Sequence, residues 1–244
     1  MNSPSGLAKF DATETSPYSA ILTCLSFVFR QLITEYSSDI TTFFTALKKR
    51  LGPQLPNAQL LYHTVPEVKE LLKMFGMANL PPVESLPTQE SRARFHSLVI
   101  DCISVLASVR MLTMVFDDLH YADAPSLGLI RSLAAAKVRM LIIATHRPEN
   151  EAFVSQVKDI FGTGARATYI TLGPLSIEAV ASIVSGTLHQ PAADVMPFVN
   201  VLYRYTRGNP FSTRNLLVAL KRHKNLYFDW QENVWRFNLH SIEK

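Results

Sequence analysis

A parallel α/β sheet flanked by helices is the fold class this sequence predicts, and three observations predict it. Residues 111–116 form a mostly apolar run, interrupted by Thr113 alone and ending in Asp117-Asp118, the pattern of a strand buried on both faces. A second apolar run, residues 140–145, follows a stretch with helical patterning, and strand, helix, strand within about 35 residues is a βαβ unit with a right-handed crossover. Upstream, Ile21, Leu22, Leu25, Phe29 and Leu32 recur at helical spacing, so a helix with one buried face precedes the sheet.

The remaining elements follow in chain order. Residues 7–11 form a short strand, and Ser16-Pro17 reads as the cap and first residue of the helix just described. Helices fit residues 39–51 and 66–75, whereas residues 79–87, with Pro81, Pro82 and Pro87, form a loop that no helix can cross. A long helix covers residues 88–107 and hands over to the first apolar strand. Asp123 caps the crossover helix, with Pro125 in its first turn. After the second strand come a helix over residues 150–161, a strand over 167–172 and a helix capped by Ser176. Another helix runs from Ala192 to a stop at Gly208, and one more covers residues 211–223. Residues 226–230 and 234–239 alternate around Gln231-Glu232-Asn233 as a hairpin.

At 244 residues and 48% hydrophobic content, the chain can bury one large core or two small ones. Its 24 Lys and Arg against 20 Asp and Glu give +4, a bias that permits nucleic acid without implying it. Cys24 and Cys102 match no metal or redox spacing and sit among apolar neighbours, so a reducing, cytoplasmic setting is expected. Residues 20–29 are broken by polar residues and preceded by acidic ones, so no signal peptide is expected there. No stretch reaches the roughly 20 apolar residues of a membrane span.

Three segments could carry chemistry. In residues 111–123, MLTMVFDDLHYAD, a strand delivers two carboxylates to its C-terminal end, where open α/β sheets bind ligands. Asp117 could hold Mg²⁺ through water and Asp118 could polarise an attacking water; alternatively both cap the following turn. His120 reads as a surface cap rather than a zinc ligand. In residues 141–150, LIIATHRPEN, the next strand presents Thr145, His146 and Arg147 at the same edge. Arg147 could fork onto a γ-phosphate or be an ordinary surface arginine. Residues 206–211, TRGNPF, form a helix stop followed by a helix start, a corner that needs no further role. The runs Lys48-Lys49-Arg50 and Lys221-Arg222-His223-Lys224 sit at helix C-termini, where cations favour the dipole.

Taken in order, these segments resemble the STAND branch of the P-loop NTPases, which is related to AAA+ proteins, and specifically the ATPase segment of MalT-like regulators and fungal hybrid histidine kinases. The likeness runs from Lys9-Phe10-Asp11 and Pro17-Tyr18-Ser19 through the Walker B-like Asp117-Asp118-Leu119-His120-Tyr121-Ala122-Asp123. It continues through Thr145-His146-Arg147, Pro174-Leu175-Ser176 and Gly208-Asn209-Pro210-Phe211. The resemblance implies ATP and Mg²⁺ as cofactors, with Asp117 on the ion, Asp118 in hydrolysis and Arg147 sensing the γ-phosphate. Thr145 would line the cofactor site with Gly208, Asn209 and Pro210, the proline touching adenine. It implies three domains: a P-loop core over 1–173 with a helical insertion over about 37–87, a helical lid segment over 174–223, and the start of a winged-helix-like hairpin over 224–244.

One element departs. No G-x-x-x-x-G-K-S/T occurs in the sequence, and the nearest glycine cluster, residues 162–166, lacks the Lys and Ser or Thr. That loop's N–H groups cradle the phosphates and its Lys neutralises them. The family places it just upstream of the segment like Lys9-Phe10-Asp11, so a truncated module with weak or absent nucleotide binding is expected. Its central strand would be missing, leaving residues 167–172 separated from the other strands or shifted inward. The leading reading is an ATP-switch module of a larger multidomain regulator whose partners are its sister domains or other proteins. The alternative is a non-catalytic protein–protein docking fragment of a sensor kinase or transcription regulator. DNA binding by the helix at 211–223 and its hairpin ranks last.

Overall fold

The computed structural model describes residues 3–13, 16–83, 85–136, 138–162 and 167–239. The chain divides into two units, residues 1–168 and 169–244. In the first, a three-stranded parallel sheet is ordered β1 (Ser5–Lys9), β2 (Leu112–Asp117), β3 (Met140–Ala144). Around it stand α1 (Ser19–Thr34), α2 (Ile40–Leu51), α3 (Pro66–Met74), α4 (Thr88–Val109), α5 (Ala124–Ala135) and α6 (Glu151–Phe161). The second unit holds α7 (Ile177–Leu188), α8 (Ala192–Thr206), α9 (Pro210–Arg222) and a hairpin of β4 (Leu226–Asp229) with β5 (Val234–Phe237). Among the described residues, no helix is long and apolar enough to cross a membrane.

The parallel sheet is sided. Gly6, Met114 and Ile142 are in register, as are Leu7, Val115 and Ile143, and residues in register project to the same face. The Gly6 face is the core: Ala8, Leu112, Met114 and Phe116 are buried there. A Cβ added at Gly6 would lie 2.5 Å from Cys24 Sγ on α1, so the helix lies close against the strand. The opposite face is open, with Leu7 57% and Leu141 and Ile143 each 45% exposed. β2 is therefore not buried on both faces, because none of the described helices covers the Leu7–Val115–Ile143 side.

Three further expectations need correction. Residues 167–172 form no strand; Tyr169, Ile170 and Leu172 are 50%, 79% and 90% exposed, and their backbone pairs with no strand among the described residues. The first helix starts at Ser19 behind Tyr18, whose φ is +65°, so Ser16 is not its cap. Residues Gly52–Leu61, punctuated by Pro53 and Pro56, form a 3-10 helix that the sequence reading did not assign. Where a winged-helix-like hairpin is expected, the described residues form only a small antiparallel pair after α9. Residues 163–166 of the glycine cluster lie outside the described residues.

Both thiols are packed as hydrophobes. Burial pushes Cys24 and Cys102 up to about 12, which leaves neither a nucleophile near neutral pH.

A buried carboxylate ties α1 to α3. Glu67, 4% exposed, accepts from Ser26 Oγ at 2.6 Å and from Arg30 Nη2 at 2.8 Å. Burial acts to raise its pKa, but the hydrogen bonds from Ser26 and Arg30 and the arginine's charge outweigh it and hold the carboxyl below its usual value. A depressed folded-state pKa contributes stability above the ordinary glutamate pKa, and that stability is lost as pH falls through the folded value. Glu67→Gln should cost about 1–3 kcal/mol at neutral pH and flatten the acid limb of the unfolding curve below pH about 4.5. Denaturant midpoints of the two proteins across pH check both effects, and parallel curves would contradict them.

Candidate functional site

The C-terminal edge of the parallel sheet collects one polar residue from each strand. β2 ends at Asp117, and its apolar stretch is anchored by Phe116, which is fully buried and packs near Phe10 with ring centroids 6.3 Å apart. Asp118 then adopts φ +55°, ψ +41°, a left-handed conformation that Asp tolerates better than most residues. That turn points the Asp118 N–H at Thr145 Oγ1, 3.0 Å away, and the Thr145 hydroxyl donates to Asp117 Oδ1 at 2.7 Å. Backbone bonds lock the frame: Thr145 N–H donates to the Phe116 carbonyl and Leu119 N–H to the Thr145 carbonyl, each at 2.9 Å. Thr145 thus joins two carboxylate-bearing residues lying 28 and 27 positions away in sequence.

The third strand end contributes Lys9. The register sets Lys9 beside Asp117, and Phe10 N–H donates to the Asp117 carbonyl at 3.0 Å. Lys9 Nζ lies 3.8 Å from Asp117 Oδ2 and 3.7 Å from Asp118 Oδ2. The sequence reading used Lys9 only as part of a motif and gave it no role. Its proximity depends on which residue β1 sets opposite Asp117, and register is not visible in a single strand.

The donor set suits a hard divalent cation. Asp117 and Asp118 are partly exposed, with side-chain exposures of 37% and 33%, and offer oxygen donors to an ion that keeps most of its water. No group of three or more His, Cys, Asp or Glu suited to a metal occurs among the described residues.

The neighbouring residues are held by the fold. Asp123 caps α5, accepting from Ser126 N–H at 2.7 Å and Ser126 Oγ at 2.6 Å. His120 is not a surface cap: both ring nitrogens are buried without a hydrogen-bond partner, and the ring lies 4.1 Å from that of Tyr121. Tyr18, from the Pro17-Tyr18-Ser19 motif, shares a 2.9 Å hydrogen bond with His96 Nε2 and packs on Phe95 at 5.0 Å, joining the start of α1 to α4. Burial pushes the Tyr18 phenol up and, with Arg92, the His96 imidazole down. Arg147 is exposed on the loop after β3, two residues beyond Thr145.

Gly208, Asn209 and Pro210 belong to the second unit. Gly208, φ +76°, ends the α8 segment, and its carbonyl accepts from Leu175 N–H at 2.9 Å. Asn209 caps α9, accepting from Ser212 N–H at 2.9 Å, and Pro210 is the first residue of that helix. Two of the segments singled out in sequence, 174–176 and 208–211, therefore meet.

The sequence pattern of the AAA ATPase domain matches residues 6–143, more than half of the chain. Among curated proteins, the peroxide stress-activated histidine kinase mak3 of Schizosaccharomyces pombe is 25% identical over 270 residues, covering 95% of this chain and 11% of mak3. The peroxide stress-activated histidine kinase mak2 of the same organism is 26% identical over 250 residues, covering 98% of this chain and 11% of mak2. The chain thus spans about a ninth of these relatives' length. No solved structure matches it. By the match over residues 6–143, which contains β2, the Asp117–Asp118 pair and all of β1 but its first residue, the chain belongs to the AAA ATPase domain family.

Proposed function

We propose that this chain is the nucleotide-switch segment of a larger, multidomain, cytoplasmic signalling protein, and that by itself it holds ATP weakly and does not hydrolyse it. The observation that carries this reading is the Lys9, Asp117–Asp118 and Thr145 group at the C-terminal edge of the sheet. Within the larger protein, Asp117 holds Mg²⁺ through water, Asp118 polarises the attacking water, Thr145 fixes both, and Arg147 senses the γ-phosphate. Pro210 would touch adenine, with Gly208 and Asn209 beside it as cofactor-site residues. The nucleotide core spans 1–173, the helical segment 174–223 and the hairpin 224–244.

Weak binding follows from the absence of G-x-x-x-x-G-K-S/T in the sequence. Two exposed carboxylates repel a polyphosphate unless an ion bridges them, and the phosphate-cradling N–H groups and their Lys are the larger share of the contacts. Titration of the purified chain with ATP and Mg²⁺ in a calorimeter should give a Kd weaker than about 1 mM. A micromolar Kd overturns the reading.

The second reading, a docking fragment without nucleotide, is favoured by one observation, the open apolar face of Leu7, Leu141 and Ile143. An ATP switch accommodates the same face if a strand, phosphate loop and helix supplied by another segment pair with β3 and cover it.

A further inference from the structure

We infer that Lys9 is a tethered counter-cation that competes with the divalent ion for the Asp117–Asp118 pair, so that ion binding expels its ammonium and ion loss restores it. This rests on the ion-site reading above and adds to it a role for a residue on a different strand.

The two oxygens of Asp117 are already divided. Oδ1 takes the Thr145 hydroxyl at 2.7 Å, while Oδ2 faces Lys9 Nζ at 3.8 Å, and the same ammonium stands 3.7 Å from Asp118 Oδ2. One positive charge thus sits between two carboxylates, the place a divalent ion with a water shell would also occupy. The pairing is not accidental to a flexible side chain, since the β1–β2 register and the Phe10–Asp117 backbone bond place Lys9 there. The hold is weak by design of its surroundings: at 64% side-chain exposure the ammonium has water on its other side, and exposed ion pairs of this kind are readily broken. Lysine suits the role because it is a point charge on a flexible stem, able to swing away, where a forked arginine would clamp. Without an ion, the ammonium relieves the repulsion between the adjacent carboxylates; with one, it is released beside the site.

The test uses Mn²⁺ alone, titrated into the whole chain by calorimetry, with paramagnetic broadening of the Asp118, Leu119 and Thr145 amides locating the ion. Lys9→Met should bind Mn²⁺ about 3- to 10-fold more tightly than the unaltered chain at low salt, and the difference should vanish near 1 M salt, where the screening length is about 3 Å. Lys9→Arg, which keeps the charge, should not bind more tightly than the unaltered chain. Unchanged or weaker Mn²⁺ binding by Lys9→Met, with the same amides broadened, overturns the competition and leaves the ion site standing. Failure of every variant to bind Mn²⁺ near these amides overturns the ion site itself and the inference with it. Amide spectra of the ion-free variants report that the fold is intact, as expected for a largely exposed side chain.

Discussion

Replacing Gly208 by alanine should unfold the second unit while leaving the parallel sheet of the first intact. Gly208 has φ +76°, where an L side chain is strained by roughly 1–2 kcal/mol. The larger cost is contact: a Cβ there would lie 2.1 Å from the Leu175 carbonyl oxygen and 3.1 Å from the Leu175 nitrogen and carbonyl carbon. All three are backbone atoms that cannot swing aside. The same carbonyl accepts from the Tyr203 hydroxyl at 3.2 Å, and Leu175 N–H donates back to the Gly208 carbonyl at 2.9 Å. Backing the two segments apart therefore breaks both bonds and loosens the corner where Thr213 and Thr206 meet at 3.2 Å, buried. Strain plus overpacking amounts to about 2–5 kcal/mol, a large share of the net stability of a small domain, about 5–15 kcal/mol. Amide exchange should show protection lost in α8 and α9 and kept in β2. Gly208→Asn separates the causes: asparagine tolerates the positive φ but still carries the Cβ, so it should fail nearly as badly. Native protection in either variant contradicts the argument.

What the sequence made legible was set by how locally each feature is encoded. β2 and β3 announce themselves as apolar runs, and Asp123, Asn150, Ser176 and Asn209 each cap a helix by side-chain hydrogen bonds three residues on. Residues 167–172 have the composition of a strand, yet a strand exists only when a neighbour accepts its ladder, and composition cannot report a missing neighbour. The 3-10 helix at Gly52–Leu61 was hidden because Pro53 and Pro56 read as helix breakers. Asp117 and Asp118 were legible as candidates because they end a buried run. Lys9 was not, and neither was the Thr145 bridge, since both depend on register between strands far apart in sequence. The burial of the His120 nitrogens likewise depends on surroundings that its own turn does not encode.

The open side of the sheet leads to the last expected result. A parallel sheet normally carries cover on both faces, and here Leu7, Val115, Leu141 and Ile143 line a face where three of the four are 45% exposed or more. β3 has β2 as its one partner among the described residues, so its outer edge can accept a further parallel strand. A segment comprising a strand, a G-x-x-x-x-G-K-S/T loop and a helix would pair with that edge, lay its helix on the exposed face and deliver phosphate-binding N–H groups to the side of the sheet that holds Asp117. Completing the burial of four half-covered side chains contributes about 3–6 kcal/mol, taking half of the usual 1.5–3 kcal/mol for each. For a chain of this size that is roughly 10–20 °C in melting temperature. Fusing such a segment ahead of residue 3 should therefore raise the melting temperature by that amount and bring Mg²⁺-dependent ATP binding into the micromolar range. Ile143→Asp in the fusion should cancel both gains, because the carboxylate would be buried under the new helix, whereas in the unfused chain the same substitution on an exposed face should shift stability by about 0.5 kcal/mol or less. A fusion that melts where the unfused chain melts, or one indifferent to Ile143→Asp, would show that this face is covered in some other way and would return the chain to the docking reading.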